Sequence, residues 1–342
     1  MISGTVAPQI SVVIVNYNGR QWLESCLTAL GDRGPSAPEI ILVDNQSTDG
    51  SPEWVRERFR HVKVHEAGSN LGFAGGNNAG ARLARGEFLA FLNNDTIAEP
   101  GWLRALHRAV SADPAAGLAT SKIVYMHDPS IVDSAGDGYL RAGGAFKHFH
   151  GESAAVASDP REVFGACGAA FMIRRDLFLQ LGGFDEDFFM VYEDVDLSFR
   201  ARLRGYRCVY AADAVVRHAG SASLGTLSPA AVFYGQRNLE WTYLKNMPLP
   251  LLLRSLPSHV LYDTAAAFRF ASAGLLGAFL RAKWAAVAGL PRVLKKRAGE
   301  QRRRRSSAAV LWRAMESGWI RQKYREKQFD FRRGATRTSS RA

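Results

Sequence analysis

The chain has 342 residues, 47% of them apolar and 22% charged, which excludes a disordered or collagen-like protein and leaves material for one large domain with an appendage. Its net charge of +12 is local: residues 291–342 hold 17 Lys/Arg against 4 Asp/Glu, leaving 27 basic and 28 acidic residues before them. Three cysteines, Cys26, Cys167 and Cys208, include no C-x-x-C pair, which argues against a disulfide framework or zinc site and suits a reducing compartment.

In chain order, no basic or long apolar leader precedes the first apolar run, so no signal peptide is expected. Ile10–Asn16 reads as a buried strand and 21–30 as a helix with Trp22, Cys26, Ala29 and Leu30 on one face. Glu39–Asp44 reads as a second strand, followed by a turn-rich stretch in which Asp49 or Ser51 caps a helix over about 52–59. A short strand follows over 62–65. Glycines 68, 72, 75 and 76 then loop into a helix ending near Arg85, and Phe88–Asn93 is a fourth strand. This alternation predicts a mostly parallel sheet with helices on both faces.

The stretch 126–160, rich in Gly and Asp, reads as loops and a hairpin. A helix starting at Glu193 buries Val195, Phe199 and Leu203, and Asp196 with Arg200 forms an i,i+4 pair worth about 0.2–0.5 kcal/mol. From Ser228-Pro229 the chain turns helical. The expected division is a catalytic unit 1–228, an amphipathic helical region 229–290 and a basic tail 291–342. The longest late uncharged run, 270–280, is about half a membrane span, so no segment is expected to cross a bilayer.

In a parallel sheet, ligands bind beyond the carboxyl ends of the strands. Three predicted strands end in polar groups: Asn16-Tyr17-Asn18, Asp44, and Asn93-Asn94-Asp95. Asp44 can serve a turn or accept a base N–H or ribose hydroxyl. The Gly-rich run 70–80 follows a later strand than a dinucleotide motif would, which disfavours a dehydrogenase. Its glycines serve either amide contact with a ligand or close helix packing. Asp95 can hold a divalent cation against paired phosphates. Glu193 and Asp194 lie where the helix dipole favours anions, a placement that suits a cap and a general base alike.

Val15-Asn16-Tyr17-Asn18-Gly19, Val43-Asp44-Asn45-Gln46-Ser47-Thr48-Asp49-Gly50, the run 70–78, Leu92-Asn93-Asn94-Asp95, and the run from Gly183-Phe184-Asp185-Glu186 to Tyr192-Glu193-Asp194-Val195-Asp196-Leu197 stand in register. Together they resemble the family 2 inverting glycosyltransferases of the GT-A fold, nearest the bacterial rhamnosyltransferase-like group, over about residues 9–245. The resemblance implies a Rossmann-like α/β sheet and a nucleotide-sugar site at Asn16, Tyr17, Asp44, Asn70, Gly75, Asn94 and Asp95. Tyr17 would stack on the base and Asp44 would hydrogen-bond to it. It implies Mg2+ or Mn2+ at Asp95 and His218, although Asn93 replaces the first Asp of the family's DxD element and removes a charge. It also implies Asp194 as catalytic base, with Glu193 binding acceptor hydroxyls or orienting the base. Cys167 reads as packing.

The implied activity moves a sugar, with dTDP-rhamnose as the suggested donor, to a hydroxyl of a lipid-linked or cell-envelope glycan. Clustered Arg with Trp and Tyr in the tail could meet nucleic acid or anionic lipid. The apolar helices before it favour lipid, so no nucleic-acid partner is expected and the protein is placed in the cytoplasm, peripheral on the inner face of the cell membrane. The alternative is a catalytically dead GT-A body used as a scaffold through its basic tail, against which the intact Asp44, Asp95 and Asp194 argue.

Overall fold

A computed structural model describes residues 9–31, 37–220 and 228–324. Its first half alternates β1 (Ile10–Asn16), α1 (Arg20–Ala29), β2 (Glu39–Asp44), α2 (Ser51–Arg58), β3 (Lys63–Glu66), α3 (Gly72–Leu83) and β4 (Phe88–Asn93). β1, β2 and β4 read as largely apolar runs because both faces of the sheet are covered there, whereas β3, at the edge, is polar and partly exposed. Val12 and Ile14 enter one core with Leu42 and Leu92, while Val13 enters the other with Ile41, Val43 and Phe91. On α1 the buried side chains are Leu23, Cys26 and Leu27, so the face is turned from the expected one and Trp22 lies at its margin.

The chain continues through β5 (Thr96–Ala98), α4 (Trp102–Ser111), β6 (Ala116–Tyr125), β7 (Val132–Ser134), β8 (Asp137–Tyr139), β9 (Ala145–Lys147), β10 (Arg161–Val163), β11 (Ala170–Arg174), α5 (Arg175–Gln180), α6 (Glu193–Leu203) and β12 (Arg207–His218). The main sheet runs β10-β12-β6-β11-β4-β1-β2-β3. Six of these eight strands point the same way, with β10 and β11 opposed. The sheet is therefore mostly parallel. Strand order reverses between β1 and β4, which opens a crevice at their carboxyl ends.

A helical layer follows: α7 (Pro229–Asn246), α8 (Leu249–Ser272), α9 (Leu276–Ala288), α10 (Leu290–Arg302) and α11 (Ala308–Ala314). It packs on the sheet through the expected face of α6, where Val195, Phe199 and Leu203 meet Tyr243, Met247 and Leu311. Two features differ from the sequence reading. The stretch read as a tail from 291 begins as helix α10, where Lys296 pairs with Asp185 at 2.5 Å and Arg297 donates to the carbonyls of Leu244 and Met247. The Asp196–Arg200 pair, read as a weak i,i+4 pair, is buried, and Lys245 of α7 lies 2.7 Å from the same carboxylate. The last part of the expected basic tail, 325–342, lies outside the described residues.

Candidate functional site

The parallel register places Asn16 beside Asp44 and Val15 beside Asn93 at the rim of the crevice. There the buried Asn16 amide donates to Asp44 Oδ1 and to Ser47 Oγ, both at 3.1 Å, while its carbonyl oxygen accepts from Asn94 at 2.8 Å. Asp44 Oδ2 also accepts the Ser47 amide at 2.8 Å, so both carboxylate oxygens are held in place. Gly19 is needed beside this cluster, because a side chain there would meet Asn16 Oδ1 at 2.7 Å. Tyr17 stands 54% exposed beside the rim. Three of the predicted strand-end groups are thus joined by hydrogen bonds, and an aromatic ring stands free to stack.

Asp95 follows β4 and is buried. The short β5 turns back antiparallel to β12, pairing Thr96 with His218, which brings a residue over 120 positions later against Asp95. His218 Nε2 lies 3.4 Å from Asp95 Oδ1, and Nδ1 lies 2.8 Å from Asp133 Oδ2. Asp133 sits on β7, whose ladder to β6 is irregular at this point, and it also meets Lys147 at 2.8 Å. Burial opposes the charge on His218, yet the two carboxylates outweigh it and hold the pKa up at about 9. Burial likewise opposes ionisation of Asp133, but Lys147, His150 and His218 keep its carboxyl well below the usual range. With Nδ1–H given to a carboxylate, Nε2 is oriented toward the Asp95 oxygen. A divalent cation that took the place of the Nε2 proton would meet Asp95 and His218 with Asp133 behind the ring, and in that form the set fits it. Sequence reasoning missed Asp133, since its one signal, an Asp in a Gly-rich stretch, is commonplace.

Asp194 and Glu193 occupy the first turn of α6, as expected. Asp194 is partly exposed; Oδ2 accepts the Gly168 amide and Oδ1 the Val195 amide, both at 2.7 Å. A side chain at Gly168 would meet Asp194 Oδ2 at 2.8 Å, so the small run before β11 exists to let this backbone approach. Burial raises the Asp194 pKa against the pull of the two amides. Glu193 departs from expectation. It is 5% exposed and its Oε2 has no hydrogen-bond partner, so it lies beneath the surface and not where an acceptor hydroxyl would meet it. Burial, reinforced by the Asp194 charge, holds its pKa well above the ordinary value. Asp137, Cys167 and Asp194 also place ligand-type atoms within 4.8 Å of one another. Burial pushes the Cys167 thiol far up, which keeps it neutral and makes this trio a poorer cation cradle than Asp95 and His218.

The Gly-rich run resolves toward packing. Side chains at Gly76 and Gly80 would strike Val15 and Val13 of β1, and one at Gly75 would meet Leu71 at 2.8 Å. Asn70 Oδ1 accepts the Gly72 amide at 3.0 Å at the entry to α3, and Gly75 lies within that helix. Asn78, which the sequence did not single out, exchanges two 2.9 Å bonds with the Phe184 backbone and ties α3 to the loop that precedes α6.

The model of "Glycosyl transferase family 2" matches residues 11–182, half of the chain. The chain belongs to glycosyl transferase family 2. Asp194 and His218 lie beyond the matched stretch. Among relatives, the N-acetylglucosaminyl-diphospho-decaprenol L-rhamnosyltransferase of Mycobacterium tuberculosis is 31% identical over 239 residues, covering 63% of this chain and 78% of that protein. The low-salt glycan biosynthesis hexosyltransferase Agl10 of Haloferax volcanii is 26% identical, covering 59% and 64%. In structure, the family 2 chain shares the GT-A fold of the Pyrobaculum calidifontis mannosyltransferase PcManGT, solved with GDP-Man and Mn2+ (TM-score 0.54, 21% identity, 90% and 87% covered). GalNAc-T7, solved with UDP, GalNAc and Mn2+, gives a TM-score of 0.56 at 18% identity over 70% and 48%. The protein is a glycosyltransferase, and a nucleotide-sugar donor is implied.

Proposed function

We propose that this family 2 enzyme transfers a hexosyl group, rhamnose as the first candidate, from a nucleoside diphosphate to a hydroxyl of a lipid-linked or cell-envelope glycan, with inversion. The observation that carries the reading is Asp194, a partly exposed carboxylate held by two amides on the far side of β4 from the Asn16–Asp44 rim. Asp44, Asn16, Asn94 and Tyr17 form the donor's nucleoside cradle. Asp95 and His218 would hold a divalent cation, Mg2+ or Mn2+, which supplies neutralisation of diphosphate charge. Asp194 takes the proton of the acceptor hydroxyl as its oxygen bonds to the anomeric carbon. The bond from that carbon to the diphosphate oxygen breaks, and the nucleoside diphosphate leaves with the electron pair. Glu193, too buried to meet the acceptor, tunes and orients Asp194.

The likeness to an N-acetylglucosaminyl-diphospho-decaprenol L-rhamnosyltransferase supports a lipid-linked acceptor. Peripheral attachment to an anionic membrane face fits that acceptor. Of eighteen large apolar side chains exposed among the described residues, fourteen lie at or after Leu249. Leu249, Leu253, Leu256 and Val260 recur at helical spacing along α8, as do Leu276, Leu280, Trp284 and Val287 along α9. No helix among the described residues is long and apolar enough to cross a membrane. Such stripes with basic residues beside them suit a helix lying on the bilayer.

The test is nucleotide release from a panel of nucleoside diphosphate sugars with Mn2+ or Mg2+, using wild type and Asp194→Asn. Wild type should release nucleotide from one donor. The variant should bind that donor unchanged and lose about 10²–10⁴-fold in transfer. Retained turnover would remove Asp194 as base, and no release from any donor would return the scaffold alternative.

A further inference from the structure

The segment before α6 carries an unusual backbone. Phe189, Val191 and Tyr192 have φ of +64°, +66° and +75°, although none is glycine and Val191 is β-branched. Phe189 centres a γ-turn of the positive-φ form, with ψ of −61° and the Met190 amide donating to the Phe188 carbonyl at 2.7 Å. Backbone of this kind persists only where its surroundings over-determine it. Among the contacts that hold it, one side chain of α7 reaches the most carbonyls. Asn238 is fully buried, and its Nδ2 lies 3.0, 2.9 and 2.7 Å from the carbonyl oxygens of Phe188, Met190 and Val191. Its Oδ1 accepts from Arg237 Nε at 2.9 Å, which fixes the orientation of the amide. Arg237 in turn donates to the carbonyls of Asp187 and Phe188.

This segment has two ends that matter. On one side the Phe189 carbonyl accepts the Ala74 amide at 3.1 Å, in the first turn of α3, where any side chain on Gly72 would strike Phe189. On the other, the Tyr192 carbonyl accepts the first helical amide bond of α6, from Asp196 at 2.9 Å, and Asp194 is two residues from that anchor. We infer that Asn238 is a positioning residue for the reaction: by collecting three carbonyls of the strained segment it sets where α6 begins and hence where the Asp194 carboxylate points. The inference rests on the reading of Asp194 as the base.

Asp194 faces Glu193 on its own helix, Asp137 and Lys147 of the β8–β9 pair, and the Cys167 thiol before β11. None of these touches Asn238 in the network just described. A change at Asn238 therefore reaches Asp194 by moving the helix start.

The experiment compares Asn238→Ala and the milder Asn238→Ser with wild type and Asp194→Asn, in the full-length protein with Mn2+ and the donor that wild type turns over. For Asn238→Ala the expected result is a fall in kcat of about 10–100-fold, the scale of a displacement near 1 Å, with donor KM unchanged. The acid limb of its kcat/KM profile should move to lower pH, because a loosened loop readmits water to a carboxyl whose pKa is raised by burial. Asn238→Ser should fall between. If kcat drops only in proportion to folded protein, with the limb unmoved in whichever variant folds, the inference is overturned. Unchanged kcat in folded Asn238→Ala overturns it too. Turnover retained by Asp194→Asn would instead overturn the base assignment itself.

Discussion

Glu193 and Asp194 are adjacent carboxyls, the first buried and the second partly exposed, and burial raises the pKa of both. The folded state keeps the Glu193 proton over a pH range in which the unfolded chain, at about pKa 4.3, has released it. Folding stability from this residue is therefore highest in acid and declines as pH rises through the raised folded value. Glu193→Gln removes that decline. Urea unfolding at pH 5 and pH 8 should show the variant gaining on wild type at pH 8, and an equal difference at both values would contradict the buried neutral acid. For Asp194 the raised pKa puts the acid limb of turnover above the ordinary aspartate value of about 3.9, since a protonated base cannot accept the acceptor's proton.

At the scale of elements, α6 is locked to the helical layer by a chain of buried charge. Asp196 is reached by Arg200 Nε at 2.8 Å, Lys245 Nζ at 2.7 Å and Asn246 Nδ2 at 2.7 Å. Lys245 continues to Asp185 at 2.6 Å, and Asp185 to Lys296 of α10 at 2.5 Å. Removing one member strands its partners in a medium that cannot solvate them. Lys245→Met should lower unfolding free energy by about 3–5 kcal/mol in urea titration. A loss under about 1 kcal/mol would mean the carboxylates relax to water. The i,i+4 spacing of Asp196 and Arg200 was legible in the sequence, and so was the apolar stripe of Val195, Phe199 and Leu203. Lys245 was not, because a partner 49 positions away leaves no periodicity. The same holds for Lys296, which looks like part of a basic tail until α10 folds it onto Asp185.

At the scale of the whole molecule, charge and apolar surface are divided between regions. The sheet body exposes few large apolar side chains, whereas α8 and α9 turn Phe268 and Trp284, each 75% exposed, outward. The acidic residues of α8 and α10, Asp263 and Glu300, are already paired with Lys283 and Arg204. A double variant, Phe268→Glu with Trp284→Glu, should lose co-sedimentation with vesicles containing phosphatidylglycerol while keeping transfer to a water-soluble acceptor. Undiminished sedimentation would place the attachment elsewhere. Truncation at 291 cannot serve as the complementary test, since it would remove Lys296 and Arg297 from the body; truncation after Tyr324 can.

The sequence by itself determined the parallel strands β1, β2 and β4 and the polar groups at their ends. A strand covered on both faces must be apolar throughout, and that pattern is local. It also placed Glu193 and Asp194 at a helix start. Tertiary structure alone decided what those groups do for one another. Asp133 meets His218 across 85 positions, and Gly168 offers its amide to Asp194 across 26. Asn238 gathers a strained loop some 50 residues earlier. Tertiary structure also buried Glu193, which the sequence had left as either an acceptor-binding or a base-orienting group. Three-residue strands such as β5 and β7 escaped the reading for the same reason: they exist through pairing with β12 and β6, and pairing is a property of the folded sheet, not of the segment.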